Sequence, residues 1–193
     1  MSADARQQSK RIHDRLTGVP ASDAMLDEMV NAIDNLGGPV VAAYYAIDGA
    51  PGVPATGQFY TTTLKNWATP LSNRAHDAFE SLNDYSATII GMVRDDVDFR
   101  EILSGNIIYT GNVSGIPAYS TSNNSHYEYL EASGGNLGDD NVLVRGLQSA
   151  NNNLPVNAVA GVMTTRAAAR AFFVDGTNRA MFRFTLLNHW CMD

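Results

Sequence analysis

Four histidines are the first residues to weigh, because imidazole nitrogens bind metal ions and transfer protons near neutral pH. They stand far apart in the sequence, at His13, His76, His126 and His189. His76 has an acidic residue one helical turn away, Glu80, and a single pair of this kind is common by chance. A metal site needs several converging ligands, so the sequence favours packing or surface roles and predicts no metal site.

His126 is the exception, because it follows a long polar loop, residues 111–125, and stands beside Tyr127 and Tyr129. Loops of this length in compact domains are often functional or mobile. An exposed imidazole at this point would reach a ligand, or a cofactor held by a neighbouring domain. His126 and Tyr127 are therefore candidate cofactor-facing residues, although loops also attract polar residues that have no functional role.

Arginines form the second candidate set: Arg166, Arg170, Arg179 and Arg183 share one stretch with a single acidic residue, Asp175. Arg179 and Arg183 are four residues apart, the spacing that places two side chains on one edge of a helix. Such an edge binds carboxylates, either on acidic helices of the same domain or on a cofactor propionate or partner domain. Local pairing is the commoner arrangement, and the second role makes Arg179 and Arg183 candidate binding residues.

Known catalytic signatures are missing from the chain. It contains no GxGxxG, Walker-type loop, HExxH or GxSxG pattern, and no C-x-x-C-H, the attachment signature of c-type haem. The carboxylates of residues 95–101 lack the glycine and spacing of a calcium-binding loop, and helix capping explains them more simply. Cys191 lies on an apolar helical stripe and is expected to be a small buried residue. The sequence therefore predicts no catalytic residue.

Bulk composition limits the partners. Apolar residues make up 45% of the 193 residues, enough to fill a hydrophobic core. The 13 basic and 20 acidic residues give a net charge of −7, which argues against binding to nucleic acid or an anionic membrane. No stretch approaches the ~20 apolar residues of a membrane-spanning helix, and the polar N-terminus lacks the core of a secretory signal. Taken literally, the sequence describes a soluble cytosolic protein.

Apolar periodicity predicts a mainly α-helical fold, an irregular helical domain with long loops and at most short strands. A first helix is expected over residues 3–16, with Gly18 as its terminator. The clearest helix begins after Ser22, a residue type that caps helix N-termini. Residues 39–47 are apolar on all sides and form a buried helix or strand that periodicity does not separate.

The second half of the chain is more irregular. Asp84 looks like the N-cap of another helix. The segment 151–155 is the most linker-like in the chain, so we expect a helical domain over 1–150 and the start of an adjoining helical segment over 151–193. The last apolar stripe runs to the end of the sequence without a Gly, a Pro or a basic last turn, which suggests that the polypeptide continues.

Three stretches carry a family resemblance. Residues 94–109, followed by the His-Tyr pair at 126–127, resemble domains of unknown function in planctomycete-type cytochrome proteins. In those domains an acidic joint, a short helix and an aromatic residue precede a loop that ends in His-Tyr. Residues 160–165, continued through 176–179 to Leu187 and Cys191, resemble the adjoining domain, where a Thr…Arg helix leads into a haem-binding segment with C-x-x-C-H. Residues 15–18 are similar to the helix-closing element at the head of such proteins.

The resemblance implies an accessory helical region that packs against, or shields, a downstream c-type haem domain in an exported or periplasmic electron-transfer protein. The haem would lie beyond this sequence, and His126, Tyr127, Arg179 and Arg183 would face that haem domain or a redox partner. No catalytic activity is expected within the chain itself. The alternative is a free-standing helical enzyme, or a carbohydrate- or peptide-binding module that uses the Tyr- and Asn-rich loop. Its site would be lined by Tyr119, His126, Tyr127, Trp67 and the tyrosines of the first half of the chain.

Overall fold

The computed structural model describes residues 3–177 and 179–192. Asn178, which belongs to one of the stretches that carry the resemblance, lies outside the described residues, as do both chain ends. The chain forms two compact units, residues 1–64 and residues 65–193. The domain boundary expected near residue 150 falls inside the second unit and stays a prediction. The predicted mainly α-helical fold with short strands is confirmed.

The first unit is mostly helical. Its regular elements are α1 (Ala3–Thr17), α2 (Asp23–Asn31), α3 (Pro39–Asp48), β1 (Gly49–Ala50) and β2 (Val53–Pro54), with π-helical turns at Ala32–Leu36 and Phe59–Leu64. Ser22 caps α2 as expected, because its side chain accepts a hydrogen bond of 3.2 Å from the Met25 amide. The ambiguous residues 39–47 are helical, and Pro39 stands in the first turn, where its missing N–H costs no hydrogen bond.

The core of the first unit lies where α1, α2 and α3 pack together. Its buried residues are Met25, Met29, Ala32, Ala42 and Ala46. The small alanines of α3 allow its backbone to approach the long, adaptable methionine side chains of α2. These contacts account for the helical character of α3.

The second unit surrounds a buried helix. Its regular elements are α4 (Lys65–Ala68), α5 (Asp84–Arg94), β3 (Ile108–Gly111), α6 (Ser125–Ala132), β4 (Leu143–Gly146), α7 (Gln148–Asn152), α8 (Arg166–Ala168) and α9 (Ala180–Trp190). Short 3-10 turns lie at Thr69–Ser72, Phe99–Leu103, Val156–Ala158 and Gly161–Thr164, and a π-helical turn lies at Ala169–Val174. Strands β3 and β4 are antiparallel, with Ile108 opposite Gly146 and Gly111 opposite Leu143.

Helix α5 is the centre of this unit, since every residue from Asp84 to Met92 is buried. It packs against α4, α8 and the β3–β4 pair. The closest approach is at Gly91, where a Cβ atom would lie 2.1 Å from the Tyr109 ring. Only glycine leaves room for that ring, so the sequence fixes the distance between α5 and β3 at this point.

The N-terminus of α5 corrects one expectation, because its cap is Asn83 and not Asp84. The Asn83 side chain accepts hydrogen bonds of 3.1 Å from the amides of Tyr85 and Ser86, and the Ser86 hydroxyl accepts one from the Asn83 amide. Two neighbouring residues of capping type made the sequence ambiguous. With Asn83 as the cap, the Asp84 carboxyl group is left to bond other elements.

Candidate binding surface

The Asp84 carboxyl group joins distant segments of the second unit. It is fully buried, and it accepts hydrogen bonds from the backbone amides of Arg166 and Ala167 at 2.6 and 3.0 Å. The Tyr119 hydroxyl lies 3.0 Å from the same group. One side chain therefore fixes the start of α8 and the 111–125 loop against α5, and it does so with its buried oxygens satisfied.

His126 holds the long loop in place. Its Nε2 accepts a bond of 2.8 Å from the Gly111 amide, and its Nδ1 lies 2.7 Å from the Pro117 carbonyl oxygen. This network assigns the proton to Nδ1. The ring is only 4% exposed, so the expectation of an exposed imidazole is wrong. The backbone of the loop needed a donor and an acceptor at this point, and one buried imidazole supplies both.

Tyrosines complete the anchoring of the loop. Tyr127 is buried, and its hydroxyl donates a bond of 2.8 Å to the Tyr109 carbonyl oxygen. Tyr119 packs edge-on against the rings of His126 and Tyr127. Burial raises the pKa values of the Tyr119 and Tyr127 hydroxyls, so both groups stay protonated as hydrogen-bond donors. These side chains face inwards and fasten the loop.

A polar cleft of about 390 Å³ opens where the loop before α5, the N-terminus of α6 and the segment from α8 to Asp175 meet. Arg166 lines it and donates a bond of 2.6 Å to the Asn124 side chain. Within the described residues, the buried Nε of Arg166 has no hydrogen-bond partner. Arg170, also in the lining, pairs with Asp175 at 2.6 Å, whereas the sequence favoured acidic helices of the same domain as partners for these arginines.

A second cavity, of about 470 Å³, adjoins the cleft and is lined by Arg74, Arg179 and Arg183. Arg179 immediately precedes α9, and Arg183 lies in its first turn. Both side chains are exposed. The structure thus brings the two predicted arginines to one cavity and adds Arg74, which lies about a hundred residues earlier and which the sequence did not single out. We call this the arginine cavity.

Aromatic rings form the base of the arginine cavity. Phe184, which lines it, stacks on Phe172 with ring centroids 4.9 Å apart. The Arg183 guanidinium lies 5.7 Å from the centre of the Phe184 ring, within the range of a cation–π contact. The His76 ring also lies against Phe184, with ring centroids 5.8 Å apart. These contacts give the cavity a rigid apolar support.

Helix α9 is fastened near its C-terminus. The Tyr85 hydroxyl lies 2.8 Å from His189 Nε2, and the Asn188 side chain donates a bond of 2.9 Å to the Leu71 carbonyl oxygen. Burial lowers the pKa of His189, which favours the neutral imidazole that accepts from the Tyr85 hydroxyl. Helix α9 is therefore positioned by polar contacts to α5 and to the 3-10 turn Thr69–Ser72.

Large apolar side chains are nevertheless exposed around this region. Phe79 is 94% exposed on the loop that carries Arg74, and Phe182 and Trp190 of α9 are 70% and 63% exposed. Phe173 and Val174, at the end of the π-helical turn, are also exposed. We call the exposed residues of segments 73–80 and 173–192 the C-terminal surface.

An apolar cavity of about 270 Å³ opens on the same part of the unit. It is lined by Leu103, Ala160, Met163, Thr164, Phe173, Met181 and Thr185. Its lining is almost entirely nonpolar, and its size suits a large apolar side chain. Phe173, one of its lining residues, belongs to the C-terminal surface.

The end of α9 corrects another expectation. Cys191 is exposed and has φ of 51°, because it is the left-handed residue that follows the last helical turn. The amides of Cys191 and Met192 both point to the Leu186 carbonyl oxygen. The apolar stripe of the last helix predicted that Cys191 is buried. The helix ends at Trp190, however, so the stripe does not reach this cysteine.

Comparisons with known proteins identify no relative. A scan against protein-family models, a search of curated proteins and a search of solved structures each found no match. Over residues 3–177 and 179–192, no helix is both long enough and apolar enough to cross a membrane. In the same part of the chain, no three His, Cys, Asp or Glu side chains converge as metal ligands would.

Proposed function

We propose that this chain is an accessory docking region that packs against, or shields, a c-type haem domain of an electron-transfer protein outside the cytoplasm. The observation that supports the proposal most is the C-terminal surface, on which large apolar side chains are left exposed beside arginines. Exposed apolar patches on an otherwise polar protein commonly mark interaction sites. The resemblance of residues 94–109, 126–127 and 160–179 to cytochrome-associated proteins supplies the class of partner.

The chemistry of the C-terminal surface suits such a partner. A haem edge is a flat apolar face with two carboxylates beside it, and it needs an apolar cover with cations close by. Phe182 and Trp190 would supply apolar area, while Arg179 and Arg183 would face the propionates or acidic residues around them. His126 and Tyr127 would act from inside the unit by holding the 111–125 loop in place.

The first test is genetic and optical. The gene is read beyond codon 193, and its whole product is expressed in a host that attaches c-type haem. We expect a C-x-x-C-H motif and covalent haem absorbance. A stop codon directly after residue 193, or a full product without haem absorbance, would contradict the haem part of the proposal.

The second test concerns docking itself. In the haem-loaded product, the variant F182S/W190S should uncover the haem, so that reduction by ascorbate becomes faster. The matched control is V40S/Y44S, which removes two large exposed apolar side chains from the first unit and should leave the rate unchanged. Equal rates in all three proteins would contradict the assignment of the C-terminal surface.

The carbohydrate- or peptide-binding alternative stays a prediction. Recognition of sugars by stacking needs exposed aromatic rings, whereas Tyr127 is buried and the Tyr119 hydroxyl lies 3.0 Å from Asp84 and 2.7 Å from Asn152. The ligand would then have to bind Trp67, which is 53% exposed, or the exposed Asn and Ser side chains of the 111–125 loop.

A further inference from the structure

We propose that the arginine cavity is a binding site for a small oxyanion, a carboxylate or a phosphate group. Three guanidinium side chains, those of Arg74, Arg179 and Arg183, line one cavity of about 470 Å³. A guanidinium presents a planar fork of N–H donors that matches the oxygens of both groups. This proposal goes beyond docking to a haem domain, because a free anion in solution would fill the site as well.

The positions of Arg74 and Arg183 are set by other contacts. The Arg74 guanidinium donates a hydrogen bond to the Asp175 carbonyl oxygen, which ties the loop at residue 74 to the segment before α9. The Arg183 guanidinium lies over the Phe184 ring, which is itself held by stacking on Phe172. Because these contacts hold the donors in place, an anion would lose little free energy to ordering them.

The charge of the lining also favours an anion. The described lining residues other than the three arginines are Ala75, Thr177, Ala180 and Phe184, and none of them is acidic. Of the acidic residues close in sequence to these arginines, Asp175 is paired with Arg170 at 2.6 Å, and the Asp77 side chain accepts a bond of 2.8 Å from the Phe79 amide. Like charges that share a cavity repel one another, and a bound oxyanion would relieve that repulsion.

The positive charge of the arginine cavity is opposite in sign to the net charge of the protein. The chain carries a net charge of −7, so its long-range field repels anions and does not attract them. Binding of an anion must then come from the local donors. Since the three arginines are exposed, we expect binding to weaken as salt is added.

The test is a calorimetric titration of the chain with sodium phosphate and, separately, with sodium citrate, each against sodium chloride at equal ionic strength. We expect saturable binding of at least one of the two anions. If phosphate alone binds, the site takes phosphate groups, and if citrate alone binds, it takes carboxylates. No saturable heat from either anion would overturn the proposal.

Two double variants with the same change in charge separate a site from general electrostatics. R179Q/R183Q should bind the anion about tenfold more weakly, since each exposed charge contact adds a modest amount. R100Q/R145Q removes two exposed arginines outside the cavity and should bind like the wild type. Equal weakening in both variants would overturn the proposal. Circular dichroism checks that each variant is folded, and R74Q provides an independent third test.

Discussion

Helices α5 and α9 of the second unit have the same length and opposite surroundings. From Asp84 to Met92, α5 is buried, and its polar side chains at Asp84 and Thr88 are hydrogen-bonded. Helix α9 buries only Ala180 and Phe184 and leaves other large apolar side chains exposed. Helix α5 therefore buries both its polar and its apolar side chains, whereas α9 leaves large apolar side chains such as Phe182 and Trp190 exposed.

This difference separates the residues of α5, which should determine folding stability, from the exposed residues of α9, which should determine binding to a partner. A change in α5 disturbs a closely packed, hydrogen-bonded centre, so it should lower the free energy of unfolding. A change to an exposed apolar residue of α9 removes no buried contact, so it should affect binding to a partner and leave the isolated chain stable. The following variants test this contrast, beginning with the largest expected effect.

The largest effect is expected for Asp84→Ala. The substitution leaves the buried amides of Arg166 and Ala167 without their acceptor, and each unsatisfied buried group is costly. We expect a loss of about 4 kcal/mol in the free energy of unfolding, measured by urea denaturation. Asp140→Ala, at an exposed position, should change it by less than about 0.5 kcal/mol. Similar losses in both variants would contradict the role given to Asp84.

The next effect is expected for Gly91→Ala, because the added Cβ would lie 2.1 Å from the Tyr109 ring. We expect a loss of about 3 kcal/mol from overpacking between α5 and β3. Gly146→Ala is the control, since its Cβ would meet its nearest neighbour, the Asn151 side chain, at 3.4 Å. Thermal unfolding followed by circular dichroism compares the two. A Gly91→Ala protein as stable as the control would show that the ring moves aside freely.

A smaller effect concerns pH and the contact between α5 and α9. Burial lowers the pKa of His189 below its ordinary value of 6.5. As the pH falls, His189 of the unfolded chain therefore takes up a proton before His189 of the folded chain does. The stability that neutral His189 contributes is present above pH 6.5 and is lost as the pH falls through the pKa of the folded state. Urea denaturation between about pH 7 and about pH 5 should show this loss.

The variant His189→Asn should lose less stability over that range than the wild type, because the titrating group is gone. His76→Asn, at an exposed position with left-handed backbone that asparagine tolerates, should retain the loss. If His189→Asn keeps the full pH dependence, other groups cause it, and the buried contact between His189 and Tyr85 does not.

The smallest effect on stability is expected for F182S/W190S. Both side chains are mostly exposed, so the free energy of unfolding of the isolated chain should change by less than about 0.5 kcal/mol. Urea denaturation measures it beside the wild type. A loss of 2 kcal/mol or more, of the order seen for buried side chains, would mean that these residues belong to the core of the unit.

The sequence predicted the elements whose periodicity matches their burial. Helices α1 and α2 were predicted closely, because each has an amphipathic pattern and a terminator or cap at Gly18 and Ser22. The cap of α5 was misassigned, because Asn83 and Asp84 are both capping types and only tertiary contacts to α8 tell them apart.

The candidate site was predicted only in part. Arg179 and Arg183 were found from their helical spacing, but Arg74 joins them across about a hundred residues, and no local pattern reports that contact. The burial of His126 could not be read from a polar loop, because it depends on bonds to Gly111 and Pro117 that form only when the loop folds back. An exposed aromatic such as Phe79 reads in sequence like any core residue.

The most direct test of docking is radical footprinting of the C-terminal surface in the haem-loaded gene product and in the isolated chain. Phe79, Phe182 and Trp190 are exposed in the isolated chain, so all three should be labelled there. We predict that Phe182 and Trp190 are strongly protected in the haem-loaded product, while Tyr44, exposed in the first unit, is labelled equally in both. Equal labelling of Phe182 and Trp190 in the two proteins would contradict the proposed docking surface.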